Sequence, residues 1–179
     1  ERHLALLHRE KGDGDKVTSK CTSVCNANGG LSCGKIVPVD VFEREYPGRS
    51  YRVYAILDEQ SNSSLISSEL ADDLGISTPS EPYLLTTCSG TKEMKFGHRA
   101  ANISIESMAG NVLNLPTLIE CDNIPSNKNE IPTPELAQRF PHLRGIAEHI
   151  PPLDESLEIH LLIGRDAPEI LKVREFING

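Results

Sequence analysis

In residues 54–66, YAILDEQSNSSLI, an apolar run stops at Asp58 and small polar residues follow. Val53, Ala55 and Leu57 alternate with Tyr54 and Ile56, which predicts a strand with both faces largely apolar and a turn directly after Asp58. Apolar surroundings and a like-charged neighbour both raise a carboxyl pKa toward the range in which it holds a proton, so a carboxylate in this position is a candidate acid or base. The plainer alternative is that Asp58 only caps the turn, and a second feature elsewhere must separate the two. Glu59 is adjacent, but neighbouring side chains of an extended backbone point to opposite faces. Asp58 and Glu59 therefore do not form a catalytic pair with each other, and metal-assisted hydrolysis by these two and a histidine is a poor competitor.

The elements that would position this carboxylate are short strands. Residues 35–42, KIVPVDVF, set Val37, Val39 and Val41 at alternate positions with Pro38 near the start, as suits an edge or first strand. Charges, Pro47 and Gly48 then predict a turn into a strand over 50–57, and the two strands read as an antiparallel pair. Beyond Asp58, Leu65, Ile66, Leu70 and Leu74 recur at helical spacing before Gly75, which predicts a helix over 64–74. Ser61, Asn62 and Ser63 either cap its first turn or accept from backbone donors beside the carboxylate. Residues 83–87 and 93–96 flank a turn of small residues, a hairpin with Gly90 at its tip. Further strands are expected at 100–106 and 112–119, the second interrupted by Pro116.

Residues 122–157 break this pattern with many prolines and polar residues and two helical turns, 134–139 and 141–149. They predict an excursion over the surface, either covering a groove or without a chemical role. Residues 158–166, EIHLLIGRD, then alternate through Ile159, Leu161 and Ile163 with Leu162 filling the other face, and stop at Gly164. A buried strand running into a glycine turn repeats the logic of the opening stretch. A short helix over 167–171 and a terminal strand over 172–177 follow.

The 179 residues suffice for one domain with a hydrophobic core, expected over 33–179, after a flexible segment over 1–32. Five cysteines, Cys21, Cys25, Cys33, Cys88 and Cys121, are odd in number and scattered, which fits free thiols in a reducing compartment better than a disulfide scaffold. Cys21, Cys25 and Cys33 with His3 and His8 can be drawn as a zinc site, but their spacing matches no tight Cys-x-x-Cys pattern. A net charge of −8, no Trp and no basic cluster argue against direct binding of nucleic acid. No run of eighteen apolar residues and no signal-peptide pattern is present, so neither a membrane span nor export is expected. A start at Glu1 suggests a piece of a longer chain.

Taken together, ILDEQS at 56–61 and LLIGRD at 161–166, on either side of a glycine-tipped hairpin, resemble the motifs of retroviral-type aspartic peptidases. The similarity is closest to the peptidase domain of Bel/Pao-type retrotransposon polyproteins. It covers residues 33–177, through CGKIVPV, LDEQSNSSLIS, LADDLG, LTTCSGT and LLIGRD. ERHLALLH at the start looks like the tail of a zinc-knuckle segment that precedes such a peptidase, with its cysteine ligands before Glu1.

The resemblance implies an all-β, retropepsin-like closed β-barrel with short helices, one lobe per chain and a flap hairpin. It implies that Asp58 is the catalytic aspartate, that Glu59, Gln60 and Ser61 continue its loop, and that Leu162, Ile163 and Gly164 support it from the second strand. Thr87, Cys88, Ser89, Gly90, Thr91 and Lys92 correspond to the tip of the flap. No metal or other cofactor is implied. One such motif is half of an aspartic dyad, and no second one exists in the chain: Asp122 is followed by Asn and Ile, Asp154 by Glu and Ser and Asp166 by Ala and Pro, and none stands in the full context of apolar strand, carboxylate and small turn. The expected partners are therefore a second copy of the chain and an extended peptide or polyprotein substrate, with no nucleic acid and no membrane. The expected setting is the cytoplasm or an intracellular retroelement particle. The sequence departs from the family at Glu59 and Gln60, where a hydroxyl residue and then glycine are usual, so a non-catalytic dimerisation or peptide-binding module is the competing reading. A soluble β-rich domain with solvated charged turns is the plainest one.

Overall fold

The computed structural model of the chain describes residues 15–18, 33–87 and 89–173. His3, His8, Cys21, Cys25, Cys88 and positions 174–177 of the expected terminal strand lie outside the described residues. The elements in chain order are β1 (Asp15–Thr18), β2 (Ile36–Glu43), β3 (Ser50–Leu57), β4 (Leu65–Ile66), α1 (Ser68–Asp73), β5 (Glu81–Thr86), β6 (Lys92–Gly97), β7 (Arg99–Ala100), β8 (Ile103–Ser107), β9 (Val112–Asn114), β10 (Leu118–Glu120), α2 (Pro134–Gln138), β11 (Ile159–Ile163) and α3 (Pro168–Leu171). Strand predominates over helix.

Eight of the strands form one curled sheet in the order β7-β10-β4-β11-β3-β2-β8-β9. β2 and β3 form the expected antiparallel pair, with Val39 opposite Val53, and β3 lies parallel to β11, with Leu57 opposite Ile163. The sheet is half a barrel and not the closed one expected, because β7 and β9 end it without meeting. Helices occupy the open side: Leu70, Ala71 and Leu74 around α1, with Ile170 and Leu171 of α3, pack onto the strands' inner residues Val39, Val41, Val53, Ala55, Leu161 and Ile163. Each fully buried Val, Leu or Ile side chain among them contributes about 1.5–3 kcal/mol by leaving water, and the alanines less.

β11 and the second half of β3, from Val53 on, are covered on both faces, as their largely apolar character requires. On the outer face, Leu162 packs with Leu65, Tyr83, Leu85, Ile119 and Cys121 at the base of the β5–β6 hairpin. Beside them, Tyr54 and Ile159 pack with Ile36 and Ile131, the last of which belongs to the excursion. Residues 122–157 are thus packed against the sheet, through Ile124, Ile131, Leu153 and Leu157.

The helix expected over 64–74 begins later. Leu65 and Ile66 form β4 between β10 and β11, one side chain entering the outer cluster and the other the main core. Two adjacent apolar residues fit a helix and a strand equally, and pairing on both sides decides for the sheet. α1 is capped by Ser67, whose Oγ accepts from the Leu70 amide at 3.2 Å. The strand expected over 100–106 is broken at Asn102, whose φ of 60° is left-handed, a conformation asparagine tolerates. Asp15–Thr18, in a stretch whose composition reads as linker, runs parallel to β5 and makes the hairpin a three-stranded sheet.

Candidate active site

Asp58 follows the last residue of β3, where the strand is held from both sides. The Leu57 amide donates to Lys35 O at 2.8 Å toward β2, and the Asp58 amide donates to Ile163 O at 2.9 Å toward β11. The carboxylate is half-buried, and its Oδ1 accepts from the Gln60 amide at 2.8 Å. An extended strand that stops between two neighbours and turns at once fixes where the carboxylate points.

The loop after Asp58 is laced to the chain after β11. Ser61, fully buried, turns its hydroxyl to Ser63 O at 2.8 Å and accepts the Arg165 amide on its carbonyl at 2.9 Å. The Gly164 amide donates to Ser64 Oγ at 3.0 Å. Ser64 in turn donates from its hydroxyl to Asp166 Oδ1 at 2.6 Å and from its amide to Asp166 Oδ2 at 2.9 Å. Gly164 has no room for a side chain, since a Cβ would lie 2.6 Å from Ser63 O and 3.0 Å from Ser61 O.

Of the residues expected in the site, Asp58, Glu59, Gln60, Ser61, Leu162, Ile163 and Gly164 are brought together. Gln60 needs no glycine-like backbone here: among the described residues only Asn102 has a positive φ without being glycine, and the Gln60 side chain is exposed. Glu59 turns away from the loop, and its Oε1 meets Lys35 Nζ at 2.5 Å. Ser64, Asp166 and Lys35 were not singled out by spacing. All three stood in runs that carry the resemblance, Asp166 in LLIGRD, Ser64 in LDEQSNSSLIS and Lys35 in CGKIVPV, but nothing local marks the contact each makes.

An open cleft of about 520 Å³ lies beside Asp58. Leu57, Asp58 and Gln60 form one side, Ile36, Ile56, Ile159 and Leu162 make it apolar, and Pro125, Asn127 and Glu130 bring the excursion to its edge. The excursion thus contributes part of the cleft's lining. Cys33 stands at the same edge, and partial burial pushes its thiol above the ordinary cysteine value.

The hairpin tip adopts a tight turn. The Thr87 amide donates to Thr91 O at 3.1 Å, the Gly90 amide donates to Thr87 O at 2.9 Å, and Gly90 sits at a φ of 78°. Hydroxyls of Thr87, Ser89 and Thr91 are linked at 2.8 and 2.9 Å. Neither these residues nor Lys92 lines the cleft beside Asp58. At the hairpin's base, burial foremost and then a hydrogen bond with Cys121 hold the Tyr83 phenol well above its usual range.

Chemically, the arrangement offers one rigidly mounted carboxylate at an apolar-walled cleft. Of the acidic residues around it, Glu59 pairs with Lys35 and Asp166 with Ser64, while Glu130 lines the same cleft. Among the described residues no group of three His, Cys, Asp or Glu side chains could hold a metal ion, and no helix is long and apolar enough to cross a membrane. Comparison with protein-family models, curated proteins and solved structures finds no match to the chain.

Proposed function

We propose that the chain is one half of a homodimeric, retropepsin-like aspartic endopeptidase, in which each copy contributes Asp58. The observation that carries this reading is the mounting of Asp58: a carboxylate at the end of a buried strand, on a loop clamped from behind by Gly164, Arg165 and Asp166, at the side of an open cleft. Acid–base chemistry needs that rigidity, because a misplacement of about 1 Å costs about a hundredfold in rate.

Two such carboxylates about 3 Å apart cannot both ionise and share one proton. The charged one takes a proton from water, the protonated one donates to the peptide carbonyl, and the water oxygen attacks the carbonyl carbon. A two-fold axis supplies the second Asp58. The hairpin tip closes over an extended peptide, excluding water and offering backbone hydrogen bonds. On the motifs ILDEQS and LLIGRD, the substrate is the polyprotein of a Bel/Pao-type retroelement.

The test is cleavage of peptides spanning polyprotein junctions at mildly acidic pH. The chain with Asp58 intact should cleave, and Asp58→Asn should lower the rate to background. Equal rates for the two would remove the assignment. A second reading, a peptide-binding module without catalysis, is favoured by Glu59, which has no hydroxyl to bond across a dimer and pairs instead with Lys35 of its own chain. It requires binding of the same peptides with no turnover.

A further inference from the structure

The cleft beside Asp58 has two kinds of wall. Ile36, Ile56, Ile159 and Leu162 give it an apolar base, and the excursion gives it a rim at Asn127 and Glu130. That rim is fixed to the sheet. The Gly34 amide donates to Glu130 O at 2.8 Å, and the next residue, Ile131, is buried against Ile36, Tyr54 and Ile159.

Charge on the rim is uneven. Lys35 and Glu59 neutralise each other at 2.5 Å, and Lys128 is taken by Glu158 at 2.6 Å. Glu130 is half-buried, and its Oε1 accepts from Asn127 Nδ2 at 3.1 Å. Among the described residues no cation lies within ion-pair distance of it.

We propose that Glu130 is a specificity-determining residue of this cleft, selecting a substrate side chain with a long apolar stem and a cationic end, lysine or arginine, at the peptide position that enters beside Asp58. The stem covers the aliphatic base, and the cationic end meets the Glu130 carboxylate in a charge-assisted hydrogen bond. The net charge of −8 attracts such a substrate at longer range as well. The inference rests on the cleft being a peptide-binding site, and its test separates it from the catalytic reading.

Short labelled peptides carrying lysine, or norleucine as its uncharged counterpart, at each position in turn are titrated onto the full chain as Asp58→Asn, with and without Glu130→Gln. The same peptides are offered to the chain with Asp58 intact. At one position lysine should bind about five- to tenfold more tightly than norleucine, the scale of a partly buried ion pair. Glu130→Gln should abolish that preference, added salt should weaken it, and Glu130→Lys should shift it toward glutamate. Lack of a lysine preference at every position, lack of binding included, overturns the proposal even if peptides are cleaved. So does a preference that survives Glu130→Gln. Binding that depends on Glu130 without cleavage by the intact chain upholds the proposal and removes the endopeptidase reading instead.

Discussion

At Gly164 a single methyl group would meet the backbone of the loop that presents Asp58. Its nearest contacts would be Ser63 O at 2.6 Å and Ser63 C at 2.8 Å, which cannot move aside as a side-chain end can. Gly164→Ala is expected to cost about 1–3 kcal/mol, the usual penalty of overpacking, with the loop displaced. Chemical denaturation reads the cost, and an unchanged midpoint would show that the loop is slack. Asp58 itself was legible in the sequence because it ends an apolar run. Its supporting contacts were not, because they join distant positions: Lys35 and Glu59 are 24 residues apart, Ser64 and Asp166 are 102. Gln60 stood out as a departure from glycine, and it is accommodated by an ordinary backbone and an exposed side chain.

The elements most legible in the sequence are those with one unambiguous period. β3 and β11 read as strands buried on both faces because every position in them but one or two is apolar, and each is covered by the core on one side and by the hairpin or excursion on the other. β4 escaped notice because Leu65 and Ile66 fit two periods at once. Which excursion residues reach the cleft, Pro125, Asn127 and Glu130, was not legible, because proline-rich polar sequence looks the same whether it lines a cleft or decorates a surface. The β5–β6 hairpin carries a pH signature of its own. Burial keeps the Tyr83 phenol protonated above its ordinary value of 10, whereas the unfolded chain ionises there. Above pH 10 the unfolded state therefore holds fewer protons, and stability falls as pH rises, while below pH 10 this contribution is constant. Urea unfolding across that range should show a shallower alkaline decline for Tyr83→Phe, which keeps the ring. An equally steep decline would mean that Tyr83 is not the group responsible.

The larger sheet of the described residues is a half-barrel with one aspartate, Asp58, at its cleft, and a single aspartate where the proposed chemistry needs two is what calls for a dimer. The β-rich class was legible from the density of alternating segments. That the barrel stays open was not, since which strands meet at the edges depends on pairing and not on composition. Catalysis that needs Asp58 from two copies makes a quantitative demand when intact and Asp58→Asn chains are mixed and allowed to exchange. Mixed dimers hold one carboxylate and should be inert, so an equimolar mixture at constant total protein should keep about a quarter of the peptide-cleaving rate of intact protein. A rate of about half would mean that each chain works alone, and would contradict the shared dyad.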